Sequence, residues 1–586
     1  MNDLLRAFAL SACLSLLAAC NGKPPEAATS APAAPRTDTA DLVFRNGAVY
    51  TVVPGREWAT AVAVSDGVIR YVGDDAGATP WIGPDTQVVD LGGRMLAPGF
   101  QDAHVHPLTA GVDFQQCPLY GLETPEKYAA AVAECARKDP QAAWVIGAGW
   151  LLTAFPGGLP DKALLDSAVP DRPVALTSTD GHTLWVNSKA LAAAGITRDT
   201  PDPVNGRIDR DPKSGEPSGS LQESAMGLVM KLAPPLSDEL LERSLRYSLQ
   251  LMNGLGITAW QDAAVTVGDD PFRSLQTYRR LDDARGLTAR IVLSLLWDSE
   301  RGVEQIDDLV RARDQFAGGN IRTATVKIFL DGVIEAQTSA LIDDYSDRPG
   351  FKGENQVPVA VLNEGVARMD AAGFQVHIHA IGDAAIRGAL DAFEHARAVN
   401  GPTDNRHHIA HIELIHPDDQ PRFARLGVTA NFQPLWAFAD PYIVDLTLPR
   451  VGPARTPWIY PIGSVVRTGA RVAFGSDWSV SSVNPLEGIE VAVTRMGPQG
   501  ETTEPFLPDE RISLGEAIAA YTIGAAYVNH LDDRTGTIET GKSADLIVLD
   551  NNLFKIEPAR ISDTKVLLTL LAGKPVAGGF DKLAAP

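Results

Sequence analysis

Basic residues are scarce in this chain of 586 residues. Lys and Arg together number 51, against 73 Asp and Glu, which gives a formal net charge of −22 at pH 7. Binding to nucleic acid needs a basic surface that neutralises phosphates, so this balance argues against a nucleic-acid partner. Solubility is a sufficient explanation for the acidic surface.

Other features that would point to particular classes of protein are missing. The chain has only four cysteines, and their spacing does not suggest a cysteine metal site. No G-x-S-x-G motif is present, so nothing supports the nucleophile of a serine hydrolase. The apolar run Ala7–Ala19 is too short to span a bilayer comfortably, because a membrane helix needs about 20 apolar residues.

The N-terminus instead predicts export. Residues 1–19 are typical of a signal peptide, and they end in Leu-Ala-Ala before Cys20, which is similar to a bacterial lipobox. Lipidation would make Cys20 the mature N-terminus; the alternative is an ordinary signal peptide with a chance cysteine. Residues 20–40 are rich in Pro, Ala, Ser and Thr and predict a disordered tether. We therefore expect a lipid-anchored protein on the periplasmic side of a bacterial membrane.

The two cysteines beyond the tether and its lipobox are Cys117 and Cys135. Export would allow them to form a disulfide, but two free buried thiols are an equal alternative. The sequence carries no signal for an oligomeric state.

Beyond the tether, the amino-acid pattern divides the chain into two kinds of region. Residues 41–96 and 532–586 contain short β-branched segments with tight turns, which predict a small β-sandwich domain built from both termini. Residues 97–531 alternate strand-like segments, including "WVIGAGW" and "PVALTSTD", with helical ones. This alternation favours an α/β fold, a TIM-like (β/α)8 barrel with the composite β-sandwich attached.

The stretch "GTIETGKS", Gly536–Ser543, matches the phosphate-binding pattern G-x-x-x-x-G-K-[ST]. A true phosphate loop opens a helix, so that the amides at the helix N-terminus face the phosphates. Here "ADLIVLD" follows, which is typical of a strand. The pattern therefore predicts a hairpin turn at Gly541 and no ATP site.

Polar residues with metal-binding chemistry gather at predicted strand ends. His104 and His106 are two residues apart in "GFQDAHVHP", which places both on one face of a strand. Later strand ends contain more such residues: Lys327, His377, His379, His407, His408, His411 and Asp477. Since barrel enzymes keep their chemistry at the C-terminal ends of strands, the ordered series predicts a metal site. A buried Lys327 needs a partner, and an ion pair with Asp331 or Glu335 is one explanation.

This order resembles the amidohydrolase superfamily, and the surrounding text is similar to its family 3 branch, which includes N-substituted formamide deformylases. The resemblance covers nearly the whole mature chain and is carried by segments such as "LAPGFQDAHVHP", "STDGHTLWVNSKAL", "HAIGD", "RHHIAHIEL" and "FGSDWSVSSVNPLEGI".

The resemblance implies a metal site and its ligands. His104, His106 and Asp477 would bind one divalent metal, and His379 and His411 a second. Lys327, carboxylated by CO₂, would bridge the two metals. Imidazole and carboxylate ligands favour Zn²⁺, with Mn²⁺ or Fe²⁺ as alternatives, and an unmodified Lys327 would favour one metal over two.

The implied activity is hydrolysis of a carbon–nitrogen bond in an N-acyl or N-formyl amine by metal-activated hydroxide. Asp477 would carry the proton of the water to the leaving nitrogen, and His182 would hydrogen-bond the oxyanion or merely pack the barrel rim. A deaminase, carbamate hydrolase or lactonase could use the same site. A lipoprotein that binds a ligand without catalysis is a third hypothesis.

Some further residues are candidates for supporting roles. Asp262 is expected to orient one of the metal-ligating side chains. His377 and His407 are expected to lie deeper in the barrel than the metal ligands or to support them. Three tryptophans near the motifs are expected either to wall the substrate pocket or to pack the core: Trp185, Trp436 and Trp478.

Overall fold

A computed structural model describes residues 39–265 and 271–583. Cys20, with the predicted signal peptide and nearly all of the tether, lies outside the described residues. The strands are β1 (Leu42–Arg45), β2 (Ala48–Tyr50), β3 (Trp58–Ala59), β4 (Ala61–Ser65), β5 (Val68–Gly73), β6 (Gln87–Asp90), β7 (Met95–Pro98), β8 (Phe100–Val105), β9 (Cys117–Pro118), β10 (Val145–Trp150), β11 (Val174–Ser178), β12 (Thr183–Val186), β13 (Gly206–Arg210), β14 (Pro217–Glu223), β15 (Ile257–Asp262), β16 (Arg290–Leu296), β17 (Ile321–Phe329), β18 (Gln375–Ala380), β19 (His408–His411), β20 (Thr429–Phe432), β21 (Val472–Phe474), β22 (Leu546–Leu549), β23 (Val566–Leu571) and β24 (Lys574–Gly578).

Helices follow most of the barrel strands. The α-helices are α1 (Asp75–Ala78), α2 (Pro107–Gln115), α3 (Pro125–Lys138), α4 (Lys162–Ala168), α5 (Ser188–Ala194), α6 (Gly227–Met230), α7 (Asp238–Gly254), α8 (Pro271–Asp283), α9 (Ile306–Phe316), α10 (Val359–Ala371), α11 (Asp383–Asn400), α12 (Gln420–Leu426), α13 (Leu448–Val451), α14 (Ile462–Arg467), α15 (Pro485–Thr494), α16 (Leu514–Ala519) and α17 (Ala525–Val528). Within residues 39–265 and 271–583, no helix combines the length and the apolar character that crossing a membrane requires.

The largest sheet is a nearly closed parallel barrel. Its eight strands have the order β21-β20-β19-β18-β17-β16-β15-β8. Two backbone hydrogen bonds join the ends of this order: Asp477 N donates to His104 O (2.8 Å), and His106 N donates to Trp478 O (3.0 Å). The predicted (β/α)8 fold is therefore confirmed.

Strand alternation explains how the barrel carries polar residues inside. In β18, Val376 and Ile378 pack into the large apolar core, whereas His377 and His379, which alternate with them, face the barrel interior. Successive side chains of a strand point to opposite faces, so an apolar outer layer and a polar inner layer can share one strand. The helices cover the apolar layer, and the polar layer forms the floor of a cavity.

The two chain ends build a common β-domain, as predicted. One sheet has the order β24-β23-β22-β7-β2-β3, in which C-terminal β22 runs antiparallel to N-terminal β7. A second sheet has the order β5-β4-β1-β6. Apolar side chains from both ends of the chain, among them Phe44, Leu96 and Val548, pack into one core.

A fourth sheet is inserted into the barrel sequence. Its order is β13-β14-β12-β11-β10-β9, and β11 pairs with β12 in antiparallel fashion. The segments "WVIGAGW" and "PVALTSTD" belong to this inserted sheet as β10 and β11, so their expected place in the barrel is wrong. A buried apolar strand has the same appearance in either kind of sheet, which explains the error.

Cys117 and Cys135 form a disulfide that joins β9 to α3 in the inserted sheet, with Cα atoms 5.8 Å apart. Of the two alternatives, a disulfide and two free buried thiols, the structure contains the disulfide.

The segment that mimics a phosphate loop connects the β-domain to the barrel. Gly541 has a φ of +97°, and strand β22 follows, so the predicted turn and strand are confirmed. Arg290, at the start of β16, donates to both carboxylate oxygens of Asp545 (2.7 and 3.1 Å) and to Ser543 Oγ (2.8 Å). Ser543, the last residue of this segment, thus supports the buried ion pair of Arg290 and Asp545.

We expect the substitution Asp545→Asn to destabilise the protein by about 3 kcal/mol, because it leaves a buried Arg290 without its counter-charge. Both side chains are almost fully buried, at 7% and 2% exposure. Urea unfolding followed by circular dichroism measures the change. The matched control is Asp563→Asn in the exposed pair with Arg560, which should cost less than about 1 kcal/mol. Equal stability of the two variants would contradict the role of the buried pair.

Candidate metal centre

Three potential ligand atoms converge at the C-terminal end of the barrel. Asp477 Oδ1 lies 3.3 Å from His104 Nε2 and 3.0 Å from His106 Nε2. The ligand atoms of this triad all lie within 4.8 Å of one another. Nevertheless, Asp477 Oδ1 has no hydrogen-bond partner among the described residues. These three ligand atoms are therefore close together but are not aligned for hydrogen bonds to one another. Such an arrangement suits a divalent metal, which binds several ligand atoms around one point.

His411 and His379 lie next to this triad. His411 Nδ1 is 3.8 Å from Asp477 Oδ2, and in the described part of the chain neither ring nitrogen of His411 has a hydrogen-bond partner. An unpaired buried polar group costs about 1–3 kcal/mol, so these nitrogens indicate a ligand. The His379 ring is 4.4 Å from that of His411, and its Nε2 lies 3.2 Å from Gly332 O. The donor set therefore fits one metal closely and leaves imidazoles beside it for a second.

Lys327 is completely buried at the same place. Its Nζ lies 3.3 Å from His104 Nε2. Within the described residues it forms no ion pair with Asp331 or Glu335. Asp331 accepts hydrogen bonds from Ser339 and from backbone amides instead, and Glu335 accepts one from Thr447. The ion-pair explanation for Lys327 is therefore wrong.

Burial lowers the pKa of Lys327 to about 7, although the charge of Asp477 opposes this change. A substantial fraction of this amine is then neutral at neutral pH and has a free electron pair. Burial and the charge of Lys327 also lower the pKa of His104 to about 3. His104 is therefore a neutral imidazole, the form that binds metals.

Hydrogen bonds behind His104 hold it in place. His377 Nε2 lies 3.0 Å from His104 Nδ1, so the Nε2 of His104 is left for the metal. Asp102 Oδ1 accepts from the backbone N of His104 (3.0 Å) and of Ser476 (3.1 Å), which ties β8 to the segment before Asp477. Sequence reasoning missed Asp102, although it stands only two residues before His104. Asp262, expected to orient a ligand, instead accepts from Tyr278 OH (2.5 Å) on α8.

Left-handed backbone conformations direct the side chains of two candidate ligands toward the centre of the barrel. His411 has a φ of 77° and Asp477 a φ of 54°, a region that costs about 1–3 kcal/mol for such residues and that clusters at functional sites. In β19, His408 points inward and lies against His377, with ring centres 4.0 Å apart. Strict alternation would turn His411 outward, but its left-handed backbone ends the strand and brings the ring to the centre. His407 points outward to Asp370 (3.0 Å) and does not support the metal ligands.

A cavity of about 1060 Å³ opens above these residues. All six predicted ligands line it: His104, His106, Lys327, His379, His411 and Asp477. Trp436 also lines the cavity and lies parallel to the His411 ring, with centres 5.7 Å apart. The predicted ligand series and one of the three predicted tryptophans therefore meet at one cavity.

The other two tryptophans do not line the cavity. Trp185 is fully buried in the core of the inserted sheet beside Trp150 and Phe155, and its Nε1 donates to Asp161 O (3.1 Å). Trp478 is buried against Phe114, with ring centres 5.7 Å apart. Both are core residues, which is the second of the two alternatives stated for them, and they are not part of the cavity lining.

The inserted sheet contributes His182 to the cavity. His182 Nδ1 lies 3.0 and 3.1 Å from the two carboxylate oxygens of Glu223, and the ring centre is 5.4 Å from that of His379. Burial would lower the pKa of His182, but the Glu223 carboxylate outweighs burial, and the pKa is raised to about 9. Sequence reasoning missed Glu223, which is 41 residues away along the chain.

Comparison with known proteins places the chain among metal-dependent hydrolases. A model of the amidohydrolase family matches residues 87–577. Protein LONG AFTER FAR-RED 3 of Arabidopsis thaliana is 32% identical over 545 residues, which are 91% of each chain. An N-substituted formamide deformylase of Arthrobacter pascens is 29% identical over 554 residues, 92% of this chain and 98% of that protein. The crystal structure of an uncharacterized metal-dependent hydrolase from Pyrococcus furiosus, 26% identical, superposes with a TM-score of 0.67 over 88% of this chain and all of the other.

We expect the purified protein to carry about one to two divalent metal ions per chain, measured by elemental analysis without prior chelation. Asp477→Asn should lower this content by more than half, because it removes the anionic ligand of the triad. The control is His416→Asn, a half-buried histidine paired with Asp418 outside the cavity, which should keep the metal. Wild-type protein without metal, or full metal content in the Asp477 variant, would contradict the assignment of the site.

Proposed function

The chain belongs to the amidohydrolase family, and from that premise we propose that it hydrolyses the carbonyl–nitrogen bond of an N-acyl or N-formyl amine. The observation that carries the proposal is the unpaired Asp477 Oδ1 between two imidazole nitrogens, on the floor of a large cavity. The name of the Arthrobacter pascens relative, an N-substituted formamide deformylase, supports this bond type.

The donor set favours Zn²⁺. His104, His106 and Asp477 would hold the first ion, and His379, His411 and a carboxylated Lys327 would complete a site for two. When bound, a zinc ion lowers the pKa of its water toward ~7 and polarises a substrate carbonyl.

Asp477 is placed to move the proton in this reaction. Burial would raise its pKa, but the neighbouring imidazoles of His104 and His106 hold the pKa of Asp477 well below its ordinary value. The ionised carboxylate can therefore accept a proton from the attacking water and return it to the leaving nitrogen.

His182 and Trp436 face the substrate from the side. In the described residues no hydrogen bond reaches His182 Nε2, so this nitrogen is free to donate to the carbonyl oxygen as negative charge develops on it. Trp436 offers an apolar face beside His411. A cavity of about 1060 Å³ is slightly larger than the usual range for drug-sized ligands and is far larger than a bare formamide requires. The cavity therefore favours a substrate with a bulky substituent on nitrogen.

Lys327 is proposed to be N-carboxylated. Its neutral amine would attack the carbon of CO₂, form a nitrogen–carbon bond and release a proton. The resulting carbamate is an anion with two oxygen ligands. This carbamate would explain why Lys327 is fully buried although it has no carboxylate partner within the described structure.

The protein is also proposed to be a lipid-anchored periplasmic protein, modified at Cys20. The Cys117–Cys135 disulfide supports export, because disulfides persist in oxidising compartments. Mass spectrometry of the mature N-terminus in a bacterial membrane fraction would test this proposal. A diacylglyceryl-modified Cys20 is expected, and an unmodified terminus at another residue would contradict the anchor.

A hydrolysis screen tests the reaction. We expect turnover of N-substituted formamides and other N-acyl amines, followed by release of the free amine, and loss of turnover after chelation. Carbamates, lactones and amino-substituted heterocycles are the comparison substrates, because the same metal chemistry serves them. Exclusive turnover of one of these other classes would replace the proposed bond type.

Lys327→Ala should lower kcat by at least about a hundredfold, the scale for losing a group that stabilises developing charge. Short carboxylates such as acetate or propionate should restore part of the activity, because they can occupy the space of the carbamate. Lys327→Arg, which keeps a cation but cannot form a carbamate, is the control and should not respond to carboxylates. Wild-type turnover in Lys327→Ala would contradict the carbamate.

A further inference from the structure

We propose that Glu223 is a positioning residue for His182, holding the imidazole so that its Nε2 faces the substrate carbonyl. This inference rests on the proposed amide hydrolysis and deepens it. It adds Glu223 to the reaction as a second residue from the inserted sheet, beside His182, whereas the candidate metal ligands lie at the ends of the barrel strands.

The contact between the two side chains is close and shielded. Both oxygens of Glu223 lie within 3.1 Å of His182 Nδ1, and the side chains are only 12% and 11% exposed. Because the carboxylate holds Nδ1, the opposite edge of the ring, which carries Nε2, is directed away from Glu223. Both residues line the cavity. The centre of the His379 ring lies 5.4 Å from that of His182, so the imidazole itself is next to a candidate metal ligand.

The inserted sheet builds this pair from neighbouring strands. Thr183 in β12 lies opposite Gln222 in β14, and Glu223 N donates to His182 O (3.1 Å). The backbone N of His182 donates to Asp180 Oδ1 (3.0 Å), which fixes the turn before β12. The backbone pairing of the two strands therefore makes His182 and Glu223 neighbours, independently of the contact between their side chains.

The backbone of Glu223 itself is unusual. Its positive φ of 52° is combined with a ψ of −127°, a conformation that is costly for a glutamate and is retained where the surroundings require it. Gln356, from the long segment after β17, donates to Glu223 Oε2 (3.4 Å). The Glu223 carboxylate is thus held from the barrel side as well, and His182 has a fixed partner.

A structural role is the competing explanation, since Glu223 also connects the inserted sheet to the barrel. The two explanations differ in their kinetics. If Glu223 acts through His182, the effects of changing both residues will not add, because the second change removes nothing further. A structural defect would add to the loss of His182.

The test is a double-mutant cycle of Glu223→Gln and His182→Gln, with kcat and KM measured on the best N-acyl amine from the screen. We expect Glu223→Gln to lower kcat by about ten- to a hundredfold with little change in KM. The double variant should be no slower than His182→Gln alone within about threefold. Glu223→Asp should recover part of kcat, because it restores the negative charge beside His182 Nδ1.

Asp209→Asn is the matched control. Asp209 is a carboxylate of the same sheet that bonds Arg207, Ser220 and Gln222 and does not touch His182. Its substitution should leave kcat unchanged. Additive effects in the cycle, or wild-type kcat in Glu223→Gln, would overturn the inference.

Failure of the proposed function would be distinguishable, because wild-type protein would then cleave none of the amides. A crystal structure of Glu223→Ala gives a readout that needs no substrate. The His182 ring should leave its place 5.4 Å from His379. An unmoved ring would overturn the positioning role even if no substrate is found.

Discussion

The backbone hydrogen bond from Asp477 N to His104 O, 2.8 Å long, is the contact on which the rest of the site depends. It joins the last barrel strand to the first and brings together residues more than 370 positions apart in the chain. Asp102 reinforces the same junction by accepting from the amides of His104 and Ser476. Without this closure, Asp477 would not reach the two imidazoles.

The barrel contributes a rigid floor, and the inserted sheet contributes one wall. Apolar residues that alternate with the ligands pack against the helices, so the polar interior is held by a large apolar core. Unpaired nitrogens and a fully buried lysine are costly in such an interior. A metal centre is a single explanation for the unpaired atoms of Asp477 and His411 and for the position of Lys327 beside them.

Much of this site was predictable because polar residues inside apolar strands are conspicuous. His104, His106, Lys327, His379, His411 and Asp477 are all where the order of strand ends and the family resemblance placed them, around one cavity. Strand alternation alone would have chosen wrongly between His408 and His411, since the left-handed backbone of His411 reverses its direction. The sequence carries no local sign of that reversal.

Contacts between distant segments were not predictable. Glu223 meets His182 only because an inserted sheet brings β12 and β14 together, and this sheet was mistaken for part of the barrel. Trp185 and Trp478 are near the motifs in sequence, but their side chains turn into core packing. The order of strand ends therefore indicated which candidate ligands line the cavity, whereas nearness to the motifs did not indicate which tryptophans line it.

The most direct test of the account is anomalous X-ray diffraction at the zinc edge from crystals of protein that has never met a chelator. A zinc ion held by the triad should give an anomalous peak between His104 Nε2, His106 Nε2 and Asp477 Oδ1, at about 2.0–2.2 Å from each. A second peak near His379 and His411 should be joined to the first by density for a carboxyl group on Lys327. A metal-free triad with hydrogen bonds among these three side chains would contradict the account.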